Sequence, residues 1–153
     1  MSVVHHSAIC VRDVEASMRF WCDGLGFDVL MDERFSGDWP ALLDAPSTSL
    51  RAVFLGHTAS PDAGIVELVD LGPAARATDR AGPPPSGFLL LSVMTDLSAA
   101  LERLRALGLG GDPRRIEVSG VAMAVVRDPD GVLVELVDSS ALGNLEQLQL
   151  QRS

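Results

Sequence analysis

A short segment, Glu67-Leu68-Val69-Asp70, recurs as Glu135-Leu136-Val137-Asp138. Each copy closes an apolar run opened by glycine, 64–69 in the first half and 131–137 in the second. A second pair lies upstream in the same order. The stretch 11–18 (VRDVEASM) resembles 94–101 (MTDLSAAL), and each leads to a Leu-Gly pair, Leu25-Gly26 and Leu107-Gly108. Two matches in one order point to two diverged copies of one module. The copies cover about 1–71 and 87–138, and the whole of 1–153 is expected to form one domain.

Within each copy the periodicity passes from strand to helix and back to strands. Residues 3–11 are β-rich. Asp13 is placed to cap a helix with Val14, Met18, Trp21 and Leu25 inward, and Gly26 suits its stop. Strands are expected over 27–31, 50–55 and 65–69. In the second copy a strand over 88–94 precedes a helix over 96–107, with Leu97, Ala100, Leu101 and Leu104 inward. Strands follow over 116–118, 121–126 and 132–137. The order is β-α-β-β-β, twice. Asp128-Pro129-Asp130-Gly131 forms a strong turn before the last strand. Residues 72–86, with four prolines, read as a linker. In 139–153, Leu142, Leu145 and Leu148 suit a short amphipathic helix.

Composition narrows the partners. The net charge is −9, which opposes nucleic-acid binding and docking on an anionic membrane. No apolar run reaches the roughly 18 residues of a membrane span. Two cysteines, Cys10 and Cys22, are too few for a disulfide framework. With no secretory leader visible at Met1, a cytoplasmic protein is expected.

Strand alternation sets Glu67 on one face with Ile65 and Val69, and Glu135 on one face with Leu133 and Val137. A carboxylate between two aliphatic side chains is costly to bury unless it is paired or binds a metal. The bland alternative is a solvated sheet face. Recurrence in both copies, together with His6 on the first strand, favours a site. His5 is expected to point away from His6. His57 sits in a loop, Cys10 lies about 13 Å from His6 along the strand, and Trp21 belongs to the core. The segment around Phe35 and Trp39 is not strand-like and is a candidate lid.

The stretches 6–13 (HSAICVRD), 20–27 (FWCDGLGF) and 128–136 (DPDGVLVEL) resemble the vicinal oxygen chelate superfamily of glyoxalases, epimerases, dioxygenases and bleomycin-resistance proteins. The resemblance implies an α+β fold in which two βαβββ modules curl a mixed sheet around a cleft. It implies a divalent metal on His6, Glu67 and Glu135, with Glu135 or Glu67 also moving a proton. Alignment of Asp13 with Asp96 sets Leu89 at the fourth ligand position, where no donor atom exists. A His-Glu-Glu set suits Zn, Ni, Mn or Fe(II); the leucine in the fourth place argues against extradiol dioxygenase chemistry and, for the same reason, weakens the expectation of glyoxalase I activity. Leu89, Trp39, Phe54 and Met123 are the candidate substrate-pocket residues. The favoured function is a metal-assisted lyase, isomerase or epimerase acting on a small oxygenated molecule. The alternatives are a metal-free binding protein that sequesters a cationic drug, and a scaffold without chemistry. Relatives commonly form homodimers, so a homodimer is expected.

Overall fold

The computed structural model of the chain describes residues 4–72 and 86–141. The chain divides into two compact units, Met1–Ala77 and Thr78–Ser153. In the first, β1 (His6–Cys10) leads into α1 (Val14–Met18), followed by β2 (Asp28–Ser36), α2 (Trp39–Leu43), β3 (Ser49–Gly56) and β4 (Ile65–Asp70). The second runs β5 (Leu91–Thr95), α3 (Leu97–Ala106), β6 (Gly110–Val118), β7 (Val121–Arg127) and β8 (Leu133–Asp138). The fold is α+β. Each unit holds an open four-stranded mixed sheet, ordered β1-β4-β3-β2 in one and β5-β8-β7-β6 in the other. The first strand of each unit pairs parallel to the last, and the remaining pairs are antiparallel. The expected β-α-β-β-β order is present in both units, with α2 added between β2 and β3.

In the first unit one sheet face carries the core. Ile9, Val53, Leu55, Val66 and Leu68 share that face through the strand register, and all are buried. Phe20 and Trp21, from the turn after α1, are fully buried too. Asp13 caps α1, its carboxylate accepting from the Ala16 N–H at 3.0 Å. The expected single helix continues as a π-helical turn over Arg19–Gly24. The Leu25 N–H reaches back to the Phe20 carbonyl, so the turn is wide enough for two adjacent aromatics to face inward. Arg51 joins α1 to the sheet edge, pairing with Asp32 at 2.7 Å and with Glu15 at 3.1 Å.

In the second unit α3 is regular. Asp96 caps it through the Ala99 N–H, and Leu97, Ala100 and Leu104 are buried. Leu101, expected inward, is half-buried. The opposing core face is Ala124, Val126, Val134 and Leu136. The β7–β8 turn is tight. The Asp128 N–H donates to the Val132 carbonyl, and Gly131 adopts φ +83°, which its missing Cβ allows.

Several strands exceed their expected lengths. β2 runs to Ser36, so Phe35 and Ser36 are strand residues; they pair with Leu50 and Ser49 across the β2–β3 hairpin. β6 begins at Gly110 rather than residue 116. It is a sheet edge and is almost wholly exposed, so Asp112, Pro113, Arg114 and Arg115 are tolerated there without apolar alternation. β1 begins at His6 and β5 at Leu91, both later than expected. The linker over 73–85 and the leucines of the tail lie outside the described residues. No helix among the described residues is long and apolar enough to cross a membrane.

Candidate functional site

The face opposite the core carries the strand glutamates, Glu67 in the first unit and Glu135 in the second. In the first unit, Ala8, Glu67, Phe54 and Met31 lie in one row across β1, β4, β3 and β2. His6 is two residues before Ala8 and shares that face. Its Nε2 lies 3.1 Å from Glu67 Oε2, whose side chain is only 15% exposed. The His6 ring meets Phe54 edge to face, with centroids 5.5 Å apart. Phe54 thus walls one side of the His6–Glu67 pair.

His5 behaves differently from its expected position. β1 starts at His6, so His5 is not bound by the pleat. It does not point away: its Nδ1 lies 2.8 Å from His6 Nδ1, and the two rings meet at 86°. One ring must donate to the other, so His5 influences which His6 nitrogen carries the proton.

In the second unit the corresponding row is Ser92, Glu135, Val125 and Arg114, across β5, β8, β7 and β6. The Ser92 hydroxyl donates to Glu135 Oε2 at 2.7 Å. Glu135 also lines a cavity of about 270 Å³ with Arg114, Ile116, Met123 and Val125. Met123 and Glu135 are therefore brought together.

The register moves the fourth position by one residue. Ala8 faces Glu67 and lies five residues before the cap Asp13. Ser92 faces Glu135 but lies four residues before the cap Asp96. Counting back two from each facing residue pairs His6 with Leu90, not Leu89. Leu89 precedes β5 and is exposed. Neither leucine offers a donor atom.

The other candidates are placed as follows. Trp39 opens α2 and is half-buried; its Nε1 donates to the Phe35 carbonyl at 3.2 Å. The ring lies over Gly37, where a Cβ would come within 3.2 Å of it. His57 stacks on Phe27, with centroids 5.2 Å apart, rather than on His6. Cys10 shares the His6 face of β1 two pleats on, and it is exposed. Within either unit, no group of three or more His, Cys, Asp or Glu side chains that could hold a metal ion forms among the described residues.

Sequence reasoning missed Ser92 and Arg114. Only strand register reveals them, because each acquires its neighbour across the sheet rather than along the chain. It also missed the burial of Asp128. That carboxylate accepts through Oδ1 from the Asp130 and Val132 N–H groups, at 2.9 and 2.8 Å. Its Oδ2 is buried with no hydrogen-bond partner among the described residues. Burial pushes the Asp128 carboxyl up to about 6, against the downward pull of its backbone hydrogen bonds.

Comparison with known proteins is consistent with this architecture. The chain is 35% identical to the lactoylglutathione lyase-like protein terB of Aspergillus terreus, over 93% of this chain and 78% of that protein. It is 27% identical to the lactoylglutathione lyase of Pseudomonas putida, over 92% of this chain and 87% of the other. The trypanothione-dependent glyoxalase I of Leishmania major shares the fold with a TM-score of 0.71 at 19% identity, over 99% of this chain and 97% of that one. The sequence profile of the Glyoxalase/Bleomycin resistance protein/Dioxygenase superfamily matches residues 3–136, and the chain belongs to that superfamily.

Proposed function

We propose that the protein is a glyoxalase-type lyase or isomerase that acts on a small oxygenated molecule with the help of a divalent metal. The observation that carries this reading is the duplicated strand glutamate. One copy lies 3.1 Å from a histidine nitrogen, and the other is held at 2.7 Å by a serine hydroxyl.

The donor pair suits a metal. Ligand bonds of about 2.0–2.2 Å at angles between square and tetrahedral put two donor atoms roughly 3.0–3.5 Å apart. The His6 Nε2–Glu67 Oε2 separation falls in that range. Imidazole and carboxylate together suit Zn, Ni, Mn or Fe(II). His6 and Glu67 are the proposed ligands within the first unit, and within the second unit Glu135 is the proposed proton-moving carboxylate. When bound, such an ion acts as a Lewis acid on substrate oxygens.

The remaining work falls to the chain's own residues. Ser92 holds one Glu135 oxygen and fixes the carboxylate's orientation. Glu135 Oε1 is then the atom that takes a proton from substrate carbon and returns it, the role of a general base. Phe54 keeps water from one side of His6. Within the second unit, Met123 beside Glu135 is proposed to contact substrate. A homodimer and a cytoplasmic location complete the reading, and both rest on the sequence.

The test is elemental analysis of purified protein with turnover of lactoylglutathione, the compound in the relatives' names. Near-stoichiometric divalent metal and chelator-sensitive turnover are expected. Protein that holds no metal after loading, yet binds a cationic drug, would favour the sequestering alternative.

A further inference from the structure

The two sheets differ most at the far end of the glutamate row. Where the first unit has Met31, the second has Arg114. Three arginines are engaged locally: Arg51 with Asp32 and Glu15, Arg105 with Glu102, and Arg127 with the Gly131 carbonyl. Arg114 makes no ion pair with any described residue, yet it lines the same cavity as Glu135. A cation with no ion pair among the described residues, at the rim of an apolar cavity in a chain of net charge −9, is placed for an anion that arrives with a ligand.

The row also sets an orientation. Glu135 and Arg114 stand two strands apart, about 10 Å between backbones at ordinary strand spacing. Val125 lies between them in the row, and Ile116 and Met123 line the cavity beside it. A ligand there meets a carboxylate at one end, a guanidinium at the other and aliphatic side chains between. At about 270 Å³ the cavity is below the usual range for drug-sized ligands and suits a metabolite-sized one.

We propose that this cavity takes a small organic acid with an apolar body, its carboxylate held by Arg114 and its far end directed toward Glu135. Arg114 is then a specificity-determining residue that selects acids over their neutral analogues. The proposal deepens the functional reading above and rests on it for the role of Glu135, although the binding step needs neither metal nor turnover.

The experiment uses full-length, chelator-treated protein titrated with phenylacetate and with phenylacetamide, which share shape and differ in charge. Two-dimensional NMR follows the shifts of cavity residues. Phenylacetate is expected to bind about tenfold more tightly than the amide, and the preference is expected to shrink as salt rises. Arg114→Gln should abolish the preference and Arg114→Lys should keep part of it. Arg105→Gln, at an ion pair on α3, should leave it intact and controls for general charge loss. Equal binding of acid and amide, binding of neither, or a preference that survives Arg114→Gln would overturn the proposal. Failure of the metal reading shows instead as absent metal in the wild type and leaves these titrations interpretable.

Discussion

The first unit sets its strand glutamate against a histidine, and the second sets its own against a serine. The rows Ala8–Glu67–Phe54–Met31 and Ser92–Glu135–Val125–Arg114 occupy the same places in two sheets of the same order. The carboxylate is common to both, and its neighbours differ. One unit therefore offers a donor pair with an aromatic wall, and the other an oriented carboxylate with a distant cation. Duplication of a sheet need not duplicate a role. A single group retained in both copies sits in two different settings once its cross-strand partners diverge.

The hardest strain on that comparison is Glu135→Gln. If Glu135 moves the proton, kcat should fall about 10²–10⁴-fold, measured by steady-state turnover of lactoylglutathione. Ser92→Ala should lower kcat less, because it loosens the carboxylate without removing it.

The last hairpins also differ. Eight residues, 57–64, join β3 to β4, whereas five, 128–132, join β7 to β8 around buried Asp128. The folded-state value of Asp128, about 6, lies above its unfolded value near 3.8. The folded protein therefore binds more protons than the unfolded chain between those values. This contribution is fully present below about pH 4 and is lost as pH rises through about 6. A shift of this size corresponds to about 2–3 kcal/mol. Urea unfolding between pH 4 and 7 should show that slope in the wild type, and Asp128→Asn should flatten it.

Leu90→His tests the register directly. It restores a donor at the position matching His6 and should tighten nickel binding about tenfold, read by competition with a chromogenic chelator. Leu89→His should leave nickel affinity unchanged. If the two variants exchange behaviour, the helix caps and not the sheet register align the units. The smallest effect is expected of His5→Ala. Loss of the 2.8 Å contact frees the His6 ring and should weaken metal affinity by about tenfold, the low end for removal of an outer partner of a ligating histidine.

Much of this arrangement was legible before any coordinates. Glu67 and Glu135 stood out because the same short segment occurs twice, and Asp13 and Asp96 because each precedes a helical apolar pattern. Edge strands were harder to read. β6 carries Asp112 to Arg115 in full exposure, and hydrophobic periodicity has nothing to detect there. Alternation does not orient His5, because it holds only inside a strand and β1 begins one residue later. Counting from the helix caps points to Leu89 rather than Leu90, because the second unit has one residue fewer between its glutamate-facing strand position and its cap. Ser92 and Arg114 acquire meaning only through pairing across strands, which a one-dimensional pattern does not carry.

If the duplicated carboxylate is a metal-site group rather than surface charge, the protein should retain a metal that depends on it. The most direct measurement is the metal content of the wild type and of Glu67→Gln after loading with Ni or Zn and dialysis. We predict about one ion per chain in the wild type, as one site requires, and a clear loss in the variant. No retained metal in the wild type, or equal retention in both proteins, would contradict it.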